Sequence, residues 1–139
     1  MPLRFAVIGC GAIARMHLEA ISSIPEAELS IVVCRSEERA RKIEEEFGCR
    51  IVKDPFEAAQ DPEIDAIDII TPSGVRRDIA VAAAKAGKHI IMEKPLEITT
   101  KRVDDMLKAC EEAKVKCAGI FQFRYKPAWI FAKKAVTAG

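Results

Sequence analysis

Short apolar runs alternate along this chain with longer segments in which apolar residues recur at helical spacing. The runs at 5–8, 29–33, 51–52, 66–70, 89–92 and 115–121 are rich in Ile, Val and Ala. Runs this continuously apolar predict strands covered on both faces, not strands with one face in water. The segments at 13–21, 39–47, 55–59, 77–85, 100–113 and 127–139 predict helices, and the residues between them supply starts and stops. Ser36 is suited to an N-cap, Asp54-Pro55 to a helix start, and Thr99 or Thr100 to a further cap. Pro25 breaks the pattern after the first helix, Asp61-Pro62 ends the short one, Gly48 and Gly87 stop others, and Pro127 opens the last. Strand and helix therefore alternate strictly, which predicts parallel strands joined by right-handed crossovers with helices on both faces. The expected fold class is α/β, a doubly wound parallel sheet of about six strands.

Bulk properties narrow the partners. The chain has 139 residues, half of them hydrophobic, enough for one domain with a sizeable core. The formal charge is +1 and the cations are scattered, which argues against a nucleic-acid groove or a membrane-surface patch. No apolar run is long enough to span a bilayer, and Met1-Pro2-Leu3-Arg4 leads straight into a strand without a signal-peptide pattern. Five cysteines lie far apart with no C-x-x-C, as expected of reduced, mostly buried thiols in a cytoplasmic protein. Two histidines distant from any cysteine pair give no metal site. The charge run at 37–46 reads as a solvated helix face, with i,i+4 pairs such as Glu37–Arg41 and Glu38–Lys42.

The candidate chemistry falls at the predicted carboxyl ends of strands, where such folds bind ligands. After the first strand comes Gly9-Cys10-Gly11-Ala12-Ile13-Ala14, a G-x-G-x-x-A turn opening a helix. Gly9 would let the chain leave the strand sharply, and Gly11, lacking Cβ, would let a pyrophosphate approach the backbone. The amides around Ala12 and Ile13 would face its phosphates. A purely structural turn is the alternative. After the second strand the chain reads Cys34-Arg35-Ser36, without the acid that commonly holds a ribose 2′-hydroxyl in NAD sites. Arg35 offers a fork of donors to a 2′-phosphate, and Ser36 a hydroxyl and an amide, so NADP is favoured with NAD as the alternative. Thr71-Pro72-Ser73 could line the trough below the ribose, or be an ordinary turn. Glu93-Lys94-Pro95 follows the fifth strand directly. Lys94 there could orient and polarise a substrate hydroxyl or carbonyl during hydride transfer; otherwise Glu93 and Lys94 are an exposed strand-end charge pair.

Taken together, Gly9 to His17, Thr71 to Gly74, Ala86-Gly87-Lys88-His89 and Glu93-Lys94-Pro95-Leu96 resemble the N-terminal Rossmann domain of the Gfo/Idh/MocA oxidoreductases. Phe121-Gln122-Phe123-Arg124-Tyr125-Lys126-Pro127 resembles the stretch that follows the family's sixth strand. The resemblance implies NAD(P)-dependent oxidation or reduction at a carbinol carbon of a sugar, cyclitol or nucleotide-sugar. It implies Lys94 as the catalytic lysine, Glu93 beside the cofactor ribose and Gln122 near the nicotinamide. It also implies residues 1–125 as the dinucleotide-binding domain and 126–139 as the start of a helix leading to a C-terminal substrate domain absent from this chain. On that reading the chain alone binds cofactor without turnover. A non-catalytic NAD(P)-sensing module is the alternative, since the family includes regulators. Arg76 stands where members often carry a histidine, and His17 and His89 are expected to be structural. The apolar stretch Ala128-Trp129-Ile130-Phe131 would want cover, by folding back or by association, so a homo-oligomer is expected.

Overall fold

The computed structural model describes residues Met1–Gly139. Six strands form one sheet: β1 Leu3–Ile8, β2 Ala27–Val33, β3 Arg50–Val52, β4 Ala66–Ile69, β5 His89–Glu93 and β6 Cys117–Ile120. Their order is β3-β2-β1-β4-β5-β6, and every neighbouring pair is parallel. Strand order reverses between β1 and β4, which opens a crevice at the carboxyl ends of those two strands.

The helices are α1 Ala14–Ser22, α2 Glu37–Phe47, α3 Pro55–Gln60, α4 Arg76–Lys85, α5 Thr100–Glu112 and α6 Pro127–Ala138. Alternation along the strands sorts their side chains onto two cores. Ala6, Ile8, Ile67, Ile69, Ile90 and Met92 pack with Ile79, Ala83 and Met106 of α4 and α5. Val7, Val32, Cys34 and Ile70 pack on the other face with Ala14, Leu18 and Ile21 of α1. Most starts and stops read from the residues are built as such. Ser36 Oγ accepts from Arg39 N at 3.5 Å, Asp54 Oδ1 from Phe56 N at 2.9 Å, and Thr99, not Thr100, caps α5. Gly48 closes α2 in the left-handed region at φ 67°.

Three expectations need correction. β6 ends at Ile120, and Gln122–Tyr125 form a 3-10 turn that the apolar run did not reveal. The apolar face of α6 does not fold back: Trp129, Ile130 and Phe131 are exposed. Cys10 and Cys34 are not free thiols but a disulfide, with Cα atoms 5.3 Å apart. Their separation of 24 residues gave no hint, because the parallel β1–β2 pairing brings the two strand ends together. Cys49, Cys110 and Cys117 are free, and burial pushes the Cys117 thiol up to about 12. No helix is long and apolar enough to cross a membrane.

Candidate cofactor-binding site

The candidate site residues gather at the carboxyl edge of the sheet, because the strands run parallel and each residue ends a strand or lies in the segment just after one. Gly9 leaves β1 at φ 125°, and a Cβ there would lie 3.2 Å from Ile70 Cγ1 and 3.3 Å from the backbone of Ile70 and Thr71. Only glycine meets both conditions. Gly11 differs: a Cβ on it would meet no atom within 4 Å, so the space above it is open. Helix α1 begins without a side-chain cap. The amides of Cys10, Gly11, Ala12 and Ile13 donate to no backbone or side-chain acceptor, although Gly9 N bonds Val33 O and Ala14 N bonds Gly11 O. A helix start with consecutive free donors beneath open space fits an anionic group such as a pyrophosphate.

Arg35 and Ser36 stand at the carboxyl end of β2, one strand from the glycine turn, and both are exposed. Arg35 forms no ion pair with any carboxylate, so its guanidinium is available to a ligand. Ser36 spends one lone pair on its cap and keeps its hydroxyl hydrogen. Thr71, Pro72 and Ser73 follow β4 on the other side of the turn. Thr71 Oγ1 is buried and has no hydrogen-bond partner, an orphan that a ribose hydroxyl could satisfy.

The Glu93-Lys94 corner is braced from beneath. Arg76, 4% exposed, donates from Nε to Thr71 O at 2.7 Å and from Nη1 to the carbonyls of Glu93 and Pro95. One rigid fork thus ties the loop after β4 to the loop after β5, where Lys94-Pro95 is a cis peptide. Burial lowers the Arg76 guanidinium from its ordinary range, while the Glu93 and Glu97 charges oppose that. A second tie lies alongside. Glu97 accepts from Gly74 N and, at 2.6 Å, from Arg102 Nε, and Arg102 Nη2 reaches Gly74 O at 3.0 Å. Lys94 itself is exposed and lines a broad groove with Gln122, Phe121, Tyr125 and Trp129. The structure therefore brings Lys94 and Gln122 to one cavity wall. It turns Glu93 the other way: that side chain is buried.

Two buried partners of this corner escaped the sequence reading. Asp68 interrupts the apolar run of β4, is 2% exposed, and takes a 2.6 Å hydrogen bond from His17 Nδ1. His17 Nε2 lies 3.5 Å from Glu93 Oε1. The signal was present in the chain: a carboxylate inside a doubly covered strand must find a buried partner. Arg76 gave no such signal, because a helix-start arginine reads as solvated.

Residues 3–121 match the family model described as the oxidoreductase family, NAD-binding Rossmann fold. Among curated relatives, the chain is 34% identical over 139 residues to scyllo-inositol 2-dehydrogenase (NAD(+)) of Bacillus subtilis, covering 99% of this chain and 41% of the relative. It is 34% identical to inositol 2-dehydrogenase of Rhizobium meliloti, covering 100% of this chain and 42% of that one. Among solved structures, the WlbA dehydrogenase of Bordetella pertussis in complex with NADH and UDP-GlcNAcA superposes with a TM-score of 0.93 at 31% identity. That superposition covers 100% of this chain and 43% of the WlbA chain. The chain thus spans about two fifths of the length of the relatives it matches.

Proposed function

The chain belongs to the Gfo/Idh/MocA oxidoreductase family, and we propose that it is the dinucleotide-binding part of an enzyme moving hydride between nicotinamide and a carbinol carbon. The observation that carries this reading is the run of unsatisfied amides from Cys10 to Ile13 under open space at the sheet's switch point. Those amides bind the pyrophosphate, and Gly9 and Gly11 permit its approach. Thr71 meets a ribose hydroxyl and Pro72 and Ser73 form the floor beside it. Glu93 lies behind the ribose, and Gln122 flanks the nicotinamide. The bound dinucleotide supplies the hydride acceptor or donor. Lys94, reaching into the groove, holds or releases the proton of the substrate hydroxyl at its Nζ.

Arg35, free of any carboxylate partner and with no acid beside it, favours the 2′-phosphate, so NADP is preferred and NAD is the weaker ligand. The substrate is carbohydrate-like: a sugar, cyclitol or nucleotide-sugar. This is in keeping with the inositol named for two relatives and the UDP-GlcNAcA bound in WlbA. Residues 1–125 are the cofactor domain, and residues 126–139 begin the helix that leads to the substrate domain. Alone, these 139 residues bind cofactor without turnover. Their exposed Trp129, Ile130 and Phe131 associate with a second copy, giving a homo-oligomer.

The test uses the enzyme carrying this chain together with its substrate domain. Lys94→Met should leave NADPH binding within about twofold and reduce turnover by at least about 10²-fold, the scale of lost acid–base catalysis. Absence of turnover in the unsubstituted protein, with cofactor binding indifferent to Lys94→Met, would instead favour the second reading, an NAD(P)-sensing module without catalysis, and turnover that survives Lys94→Met would remove the catalytic role of Lys94.

A further inference from the structure

The buried face between α1, β4 and β5 holds three ionisable side chains in an otherwise apolar layer. Asp68 comes from β4, Glu93 from the end of β5, and His17 from the second turn of α1. Each is at most 9% exposed. Parallel pairing sets Asp68 against Ile91, two residues before Glu93 on the same face. The two carboxylates are thus staggered, and the imidazole fits between them. His17 Nδ1 lies 2.6 Å from Asp68 Oδ2, and Nε2 lies 3.5 Å from Glu93 Oε1. A hydrogen on Nδ1 serves Asp68 and a hydrogen on Nε2 faces Glu93, so the form of the ring that suits both carboxylates at once is the imidazolium.

No other charged group enters this layer. Under α1 the sheet presents Val7, Val32, Cys34 and Ile70. Of α1's own charges, Arg15 pairs at the surface with Glu19 and Glu46. From α4, the Arg76 guanidinium donates to the Glu93 carbonyl, and its charge also attracts that of Glu93. The Asp68 hydrogen bond raises His17 from its ordinary value; burial opposes this, and the charges of Asp68 and Glu93 add to it.

We propose that His17 is a positioning residue: by bridging Asp68 and Glu93, it holds the Glu93-Lys94 corner in register with the glycine turn at the start of its own helix. Lys94 follows Glu93 directly, and α1 follows directly on the turn whose free amides would face the phosphates. The His17 ring ties α1, which follows the glycine turn, to both β4 and β5. Arg76 fixes the corner's carbonyls from the opposite side, so the lysine's backbone is held from two directions. This inference rests on the dinucleotide reading of the site.

The chain has only two histidines, which makes the test direct. Long-range nitrogen–proton spectra of the 139-residue chain are recorded against pH, for wild type, His17→Gln and Glu93→Gln, with and without saturating NADH. The His17→Gln spectrum assigns the ring. The bridge predicts an imidazolium that persists above the ordinary histidine range and a fall in its titration midpoint in Glu93→Gln. It also predicts movement of both ring nitrogens on NADH binding, and at least a tenfold loss of NADH affinity in His17→Gln. A ring that is neutral at pH 7, or unmoved by Glu93→Gln, overturns the bridge without cofactor entering the question. NADH that binds the wild type without moving the ring overturns the positioning role while leaving the dinucleotide reading intact. Should His17→Gln not fold, the Glu93→Gln spectra and the wild-type response to NADH decide the matter. Failure of both NADH and NADPH to bind the wild type overturns the dinucleotide reading and the positioning role with it; if only NADPH binds, the same spectra are read with NADPH.

Discussion

Two glycines of one turn have different reasons to be glycine, and substitution separates them. Gly9→Ala forces a side chain into positive φ against Ile70 and the Thr71 backbone, and should cost about 1–3 kcal/mol of stability. Gly11→Ala meets nothing in the protein and should change stability by no more than about 0.5 kcal/mol. Its methyl group would instead stand where the pyrophosphate approaches, so NADPH affinity should fall at least tenfold. Thermal unfolding and a cofactor titration on both variants check the contrast. His17 makes a pH-dependent contribution. Its folded-state value is raised by Asp68, so its stabilisation is full below about pH 6.5 and is lost as pH rises through the folded value. The difference in melting temperature between wild type and His17→Gln should therefore be largest in mild acid and shrink towards alkaline pH. A constant difference would contradict this. At this scale the glycines and the Glu93-Lys94 pair were legible, because each breaks an apolar pattern at a strand end. The Asp68–His17 pairing was not, because it joins residues 51 apart that only the β1–β4 neighbourhood and the face of α1 bring together.

The elements were read from their punctuation, and that worked where the signal is a backbone requirement. Ser36, Asp54 and Thr99 each place an oxygen on a free amide of the following turn, and Gly48 takes the left-handed conformation. Thr99→Ala should therefore cost about 1 kcal/mol, read as a lower melting temperature, with cofactor affinity unchanged because α5 touches none of the proposed ligand contacts. Met106, fully buried in the same helix, should cost about 2–5 kcal/mol on truncation to Ala. Reading overran at 115–121. The strand is Cys117–Ile120, and Phe121 is exposed just ahead of a 3-10 turn that carries the exposed Phe123 and Tyr125. Hydrophobicity alone does not distinguish a strand residue from one that lines a groove.

At the scale of the whole molecule, parallel strands gather scattered short motifs onto one edge, which is why a dinucleotide-binding domain is legible in the sequence. Which dinucleotide and which substrate depend on groups at that edge and beyond it, and one of them, Arg35, has no carboxylate partner in the fold. The apolar surface of α6 and the adjoining 3-10 turn belongs to the same scale. Light scattering should find the chain associating as concentration rises, and substituting Trp129 and Phe131 together by Ser should return it to a monomer. The most direct test of the account is a fluorescence titration of the 139-residue chain with NADPH and, separately, NADH. The account predicts saturable binding of both, tighter for NADPH, with Arg35→Ala removing the difference and Gly11→Ala weakening both. Binding of neither nucleotide would contradict it, leaving Gly9 to Ala14 as a turn that joins a strand to a helix.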